Sequence, residues 1–189
     1  MGVVTGYQAE SLRWPEFSKT FHNPQWETTQ MVFSLFQASE WLSASDTIVC
    51  YSDILFTPRT IEKLLAAPGE IAVTNNVNWR EVWQKRFADP LVDAETFKRD
   101  ARGVLTEIGK KPLAMDEVQG QYMGLLKITA RGWEAFEDFR RSTSPGRFSK
   151  IDMTSTLNEL IARGVEIHTA DVHEDWYEFD SEEDLKSYP

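Results

Sequence analysis

The stretch DTIVCYSDILF, residues 46 to 56, decides the reading of the fold. Ile48, Val49 and Cys50 form a continuous apolar run, which suits a central strand covered on both faces. The run ends at Tyr51-Ser52-Asp53, so it delivers a carboxylate to the carboxyl edge of a sheet. Open α/β sheets bind ligands at that edge. A carboxylate there can hold a divalent cation that bridges phosphates. The same Asp53 also suits a turn former or a helix cap.

Working outward, short β-like runs alternate with amphipathic helices, the pattern of an α/β layered fold. Residues 28 to 44 space apolar groups helically, with Thr28 or Thr29 as the cap. Residues 57 to 67 read as a helix with Pro58 in its first turn. IAVTNNV is a second buried strand, residues 80 to 88 are helical, and GVLTEI at 103 to 108 is one arm of a hairpin. GQYMGLLKI is a strand and residues 131 to 141 a helix. MTSTLNELIARG is an amphipathic helix ending at Gly164. VEIHTADV is a strand, and Ser181 or Asp180 caps a short final helix.

The chain has 189 residues, 41% hydrophobic and 26% charged, which suits a single domain (1–189) with a substantial core. Its formal net charge of -10 and the lack of a basic stripe argue against nucleic-acid binding. No apolar run is long enough to span a membrane. The lone cysteine, Cys50, reads as a buried, inert thiol and fits a cytoplasmic setting.

Two further features could carry chemistry. Glu178 and Asp180 are two apart, so an extended segment points both to one side as a hard-metal pair. The alternative is a capping box, Asp180 or Ser181 with Glu183 or Asp184. Trp79, one of seven tryptophans, follows TNNVN in a strand-exit loop, where an aromatic ring can hold an ammonium group. The bulk of the tryptophans, Trp79 included, also read as core. The histidines have no ligand spacing.

Taken in order, FHNPQWETTQMVFSL, IVCYSDILF, IAVTNNVNW, DAE at 93 to 95, GQYMGLLKI, DMTSTLNELI and WYEFDSEEDL resemble one family. They look like the nucleotidyltransferases that join CTP to small phospho- or phosphono-alcohols and amines, such as bacterial phosphocholine and phosphonate cytidylyltransferases. The resemblance implies a three-layer α/β/α fold of the nucleotide-diphospho-sugar transferase type, with a mixed, mainly parallel, Rossmann-like central sheet. It implies Mg²⁺ as cofactor, with Asp53 as the first ligand and Asp180 as the second, both catalytic, and Glu178 beside them. It places Asn23, Asn76, Trp79, Tyr122 and Asp152 in substrate binding. CTP and a phosphorylated or phosphonate amine or alcohol are the implied partners, with pyrophosphate released by in-line attack.

Such enzymes open with a glycine-rich loop, LAAGxGxRL, and a PK pair; this chain carries neither and starts as though at the following strand. The expectation is an N-terminally truncated fold with an exposed sheet edge and a homodimer. Asn76 stands where the family often has Asp, which removes a counter-charge for a cationic acceptor. Gln30 stands where Asn is frequent. A sugar-phosphate nucleotidyltransferase, or a non-catalytic relative that lost the loop, are the other readings.

Overall fold

The computed structural model describes residues 1–12, 19–86, 89–179 and 181–187. Its strands are β1 (Gly2–Thr5), β2 (Lys19–His22), β3 (Thr47–Cys50), β4 (Ile54–Phe56), β5 (Ile71–Asn76), β6 (Phe97–Arg99), β7 (Leu105–Ile108), β8 (Gln121–Ile128), β9 (His168–Val172) and β10 (Trp176–Glu178). The α-helices are α1 (Met31–Leu35), α2 (Ser39–Leu42), α3 (Pro58–Ala66), α4 (Trp79–Arg86), α5 (Ala130–Ser142), α6 (Pro145–Phe148), α7 (Met153–Ala162) and α8 (Glu182–Ser187).

The main sheet has the order β3-β8-β5-β9. Strands β3, β5 and β9 run one way and β8 runs against them, since β8 pairs antiparallel with β3 and β5 while β5 pairs parallel with β9. Alternation along the strands builds three layers. Ile71, Val73, Leu126 and Ile128 face one way, onto Trp133, Phe136 and Phe139 of α5 and Leu157 and Leu160 of α7. Ala72, Met123 and Leu125 face the other way, with Leu64 of α3 and Trp79 and Trp83 of α4. Each of the large side chains so enclosed contributes about 1.5–3 kcal/mol by leaving water.

Several expectations change. The 28–44 helix is broken into α1, a 3₁₀ turn at Phe36–Ala38, and α2, and Gln30 takes the N-cap position with no side-chain bond. The break accommodates Phe36, whose ring sits 4.6 Å from Trp133 and 4.9 Å from Phe148. The apolar run 48–50 is not central: β3 pairs only with β8 in this sheet, and β8 and β5 are the inner strands. Cys50 is accordingly exposed rather than buried. β1 and β2 make a separate parallel pair beside α1, and Phe21 packs edge-on against Trp41. No described helix is long and apolar enough to cross a membrane.

Candidate active site

A cavity of about 330 Å³ opens where β3 ends and β8 begins. Tyr51 follows the last residue of β3, and its backbone N–H donates to Gly124 O at 2.9 Å. Gly124 adopts φ +76° inside β8, and a Cβ there would lie 3.0 Å from the Tyr51 ring. Only glycine combines that backbone with that approach, so residue 124 seats the tyrosine. Tyr51 meets Tyr122 edge to face, with centroids 5.8 Å apart, and donates its hydroxyl to Met31 Sδ at 2.7 Å. The neighbouring Tyr122 hydroxyl is buried, with its ring against Tyr51. Burial pushes both phenols well above their ordinary range, so both stay neutral.

The opposite wall is acidic. Gln121 clamps the Glu95 backbone: its Nε2 donates to Glu95 O at 2.8 Å and its Oε1 accepts from Glu95 N at 3.4 Å. The Glu95 carboxylate is half-buried and accepts from Thr154 Oγ1 at 3.3 Å. Its pKa is raised, chiefly by burial and further by Asp152 and Asp93, against the pull of the Thr154 hydrogen bond. Asp152 caps α7 by accepting from Ser155 N at 2.7 Å, and the same Oδ1 lies 3.4 Å from Thr154 Oγ1. Trp83 donates its indole N–H to Asp93 Oδ2 at 3.1 Å. Glu178 completes four carboxylates around the cavity, with no Lys, Arg or His among the described lining residues.

The expected metal ligands fall beside this wall. Glu178 pairs with Ile54 across β10 and β4, and Phe179 N donates to Asp53 O at 2.9 Å. Asp53 and Glu178 therefore stand on adjoining strand ends, Asp53 exposed and Glu178 half-buried. Asp180 lies outside the described residues. The capping box is also present: Ser181 N and Oγ both donate to Asp184 Oδ2, at 2.9 and 2.8 Å.

The expected substrate residues divide. Tyr122 and Asp152 line the cavity; Asn23, Asn76 and Trp79 do not. Asn23 is wholly buried, donates from Nδ2 to Thr29 Oγ1 and Ser34 Oγ, both at 2.9 Å, and accepts from Gln25 N. It fastens the segment after β2. Asn76 closes the turn after β5 by accepting from Asn78 N at 2.8 Å. Trp79 is only 3% exposed, because it opens α4 instead of sitting in a loop. Four residues on, Trp83 shares its helix face and reaches the cavity. Tyr51, Trp83, Glu95 and Gln121 are among the lining residues not assigned from the sequence, although Tyr51 sits in YSDI and Glu95 in the DAE run.

The mixed sheet between two helix layers, with a cavity at the strand ends, has the architecture of the nucleotide-diphospho-sugar transferase fold. Solved structures agree. The inositol-1-phosphate CTP transferase from T. maritima superposes with a TM-score of 0.66 at 17% identity, covering 88% of this chain and 62% of that one. A Bacillus anthracis protein assigned as a glucose-1-phosphate thymidylyltransferase gives 0.63 at 14%, covering 89% and 63%. This chain thus spans less than two thirds of either structural relative. No protein-family model matches it. Among curated proteins, the CTP:phosphoglutamine cytidylyltransferase of Campylobacter jejuni is 32% identical over 201 residues, covering 98% of this chain and 79% of the relative. The chain belongs to the cytidylyltransferase-like nucleotidyltransferases.

Proposed function

We propose that this protein takes part in transferring CMP from CTP to a small phosphorylated or phosphono compound of the phosphocholine or 2-aminoethylphosphonate type. The observation that carries this reading is the adjacency of Asp53 and Glu178 on strand ends beside a cavity built from Tyr51, Glu95, Tyr122 and Asp152. The C. jejuni relative, named for phosphoglutamine, supports a small phosphorylated acceptor.

In the proposed reaction an oxygen of the acceptor's phosphate or phosphonate attacks the α-phosphorus of CTP. A P–O bond forms there, the bond to the bridging oxygen of the β-phosphate breaks, and its electron pair leaves with pyrophosphate. The attacking oxygen is already anionic, so the chain needs no general base. Its work is to fix the acceptor in line with the phosphorus and to keep water from competing. Asp53, Glu178 and Asp180 are hard oxygen donors and fit Mg²⁺, which when bound neutralises charge on the phosphates.

The test is pyrophosphate release with CTP, Mg²⁺ and a panel of phosphocholine, 2-aminoethylphosphonate and a hexose 1-phosphate. We expect release with a small non-sugar acceptor, and a fall of about 100-fold or more in Asp53→Ala. Release with the hexose phosphate alone would overturn the reading.

A further inference from the structure

Strand β8 keeps step with β3 but not with β5. On the β3 side the pairs run unbroken from Thr47 with Ile128 to Cys50 with Leu125, and Tyr51 N then donates to Gly124 O at 2.9 Å. On the β5 side Val73 pairs with Leu126, and the next pair is Asn75 with Tyr122. Thr74 alone therefore stands opposite Met123, Gly124 and Leu125, so β8 bulges at this point. A bulge interrupts the ladder locally and re-aims the side chains beyond it. Gly124 lies within this bulge, and Tyr122 and Gln121 lie just beyond it; all three line the cavity.

One side chain closes the bulge. The Thr74 hydroxyl donates to the Leu125 carbonyl at 3.1 Å, and both residues are wholly buried. Thr74 is held firmly from its other side, because β5 and β9 pair in unbroken register from Ala72 with His168 to Asn76 with Val172. Its hydroxyl is thus a fixed donor in a low-dielectric interior, where a carbonyl deprived of its partner costs more than the bond contributes.

We infer that Thr74, which does not itself line the cavity, is a positioning residue of the site. Its hydroxyl fixes the bulge, the bulge fixes Gly124, and Gly124 seats Tyr51, two residues before Asp53 in the chain. This rests on the role proposed above for Asp53 and adds a residue outside the cavity on which the alignment depends. The Thr74 methyl group only fills space, so hydroxyl and methyl can be removed separately. Thr74→Val keeps the volume and loses the donor; Thr74→Ser keeps the donor and loses the methyl. Loss of alignment falls on turnover, since in-line attack tolerates little misplacement.

The experiment measures pyrophosphate release by the full chain and both variants with CTP, Mg²⁺ and 2-aminoethylphosphonate or phosphocholine, thermal melts, and exchange of the Tyr51 amide by NMR. Thr74→Val should lower kcat about 10- to 100-fold with KM for the acceptor held within about 3-fold. Its Tyr51 amide should exchange about 10-fold faster relative to the amides of α5, as expected where a local hydrogen-bonded unit loosens. Thr74→Ser should keep both kcat and exchange within about 3-fold of the parent, although it too melts lower, having lost a buried methyl group. A merely structural residue would instead give kcat values that follow the melting temperatures in both variants. Should Thr74→Val not fold, Thr74→Cys places a weaker donor there and should shift both readouts the same way by less. Unchanged kcat in folded Thr74→Val, unchanged Tyr51 exchange, or a Thr74→Ser that falls as far as Thr74→Val each overturns the inference. If the parent releases no pyrophosphate with any acceptor, the cytidylyl-transfer reading fails, and Tyr51 exchange decides by itself: faster in Thr74→Val and restored in Thr74→Ser sustains the positioning role, and unchanged exchange ends it.

Discussion

At the scale of single residues, close packing around the cavity helps to set the site. Gly120 is an instance: a Cβ there would fall 1.6 Å from Asn75 Oδ1. Asn75 is itself wholly buried and donates to Asp171 Oδ1 at 2.8 Å, so it has no room to give way. Gly120→Ala should therefore cost about 1–3 kcal/mol of stability, the usual range for overpacking, and should disturb the start of β8 where Gln121 and Tyr122 enter the cavity. Chemical denaturation measures the loss. An alanine variant as stable as the parent would show that the two strands are not packed as described. Asn23 illustrates the limit of reading by sequence. A buried asparagine that satisfies three local bonds looks, in a string of letters, the same as one waiting for a substrate. Its partners, Gln25, Thr29 and Ser34, lie within eleven residues, so the spacing was visible, but nothing in the sequence says which way the amide turns.

At the scale of elements, what the sequence conveys is periodicity, and what it withholds is neighbourhood. α7 and its face of Met153, Leu157 and Leu160 are legible because 3.6-residue spacing and a terminal glycine are local signals. The edge position of β3 is not legible, because three apolar residues look alike on an inner strand and on an edge, and pairing partners lie far away in sequence. The cavity suffers the same limit: Tyr51, Trp83, Glu95, Tyr122 and Asp152 come from five separate segments. Asp152 belongs to two of these stories, as the cap of α7 and as a wall of the cavity. Two substitutions separate them. Asp152→Asn keeps a capping oxygen and removes the charge, so stability should change little while affinity for an amine acceptor falls. Asp152→Ala should in addition lower stability by about 1 kcal/mol, the ordinary worth of an N-cap. Melting curves beside acceptor titrations give both readings, and equal melting of the two variants would remove the capping role.

At the scale of the whole molecule, 30 acidic residues against 20 basic ones give the formal charge of -10 and make stability sensitive to acid. Two carboxyls act in opposite directions. Glu174 accepts from Lys63 Nζ at 2.8 Å, also pairs with Arg59 at 3.1 Å, and has its pKa drawn from 4.5 down to about 2, chiefly by the Lys63 hydrogen bond. Its side chain is only 18% exposed, and the bond ties α3 to the turn between β9 and β10. A depressed carboxyl stabilises the fold above its unfolded value, and that contribution is lost as pH falls from about 4.5 through about 2. Glu95 is raised instead, so the folded state takes up its proton more readily than the unfolded chain, and lowering the pH through its folded pKa relieves a cost. The two can be told apart by melting the protein from pH 7 to pH 3. Lys63→Met should reduce the acid loss below about pH 4.5, because the largest pull on Glu174 is removed while Arg59 and the His173 N–H keep the rest. Glu95→Gln should be more stable than the parent near neutral pH, with the advantage shrinking on acidification, since the amide never carries the uncompensated charge. A parallel shift of all three curves at every pH would mean that neither carboxyl has the surroundings described. The second result bears on function as well. A half-buried carboxylate that costs stability is an expected feature of a functional site.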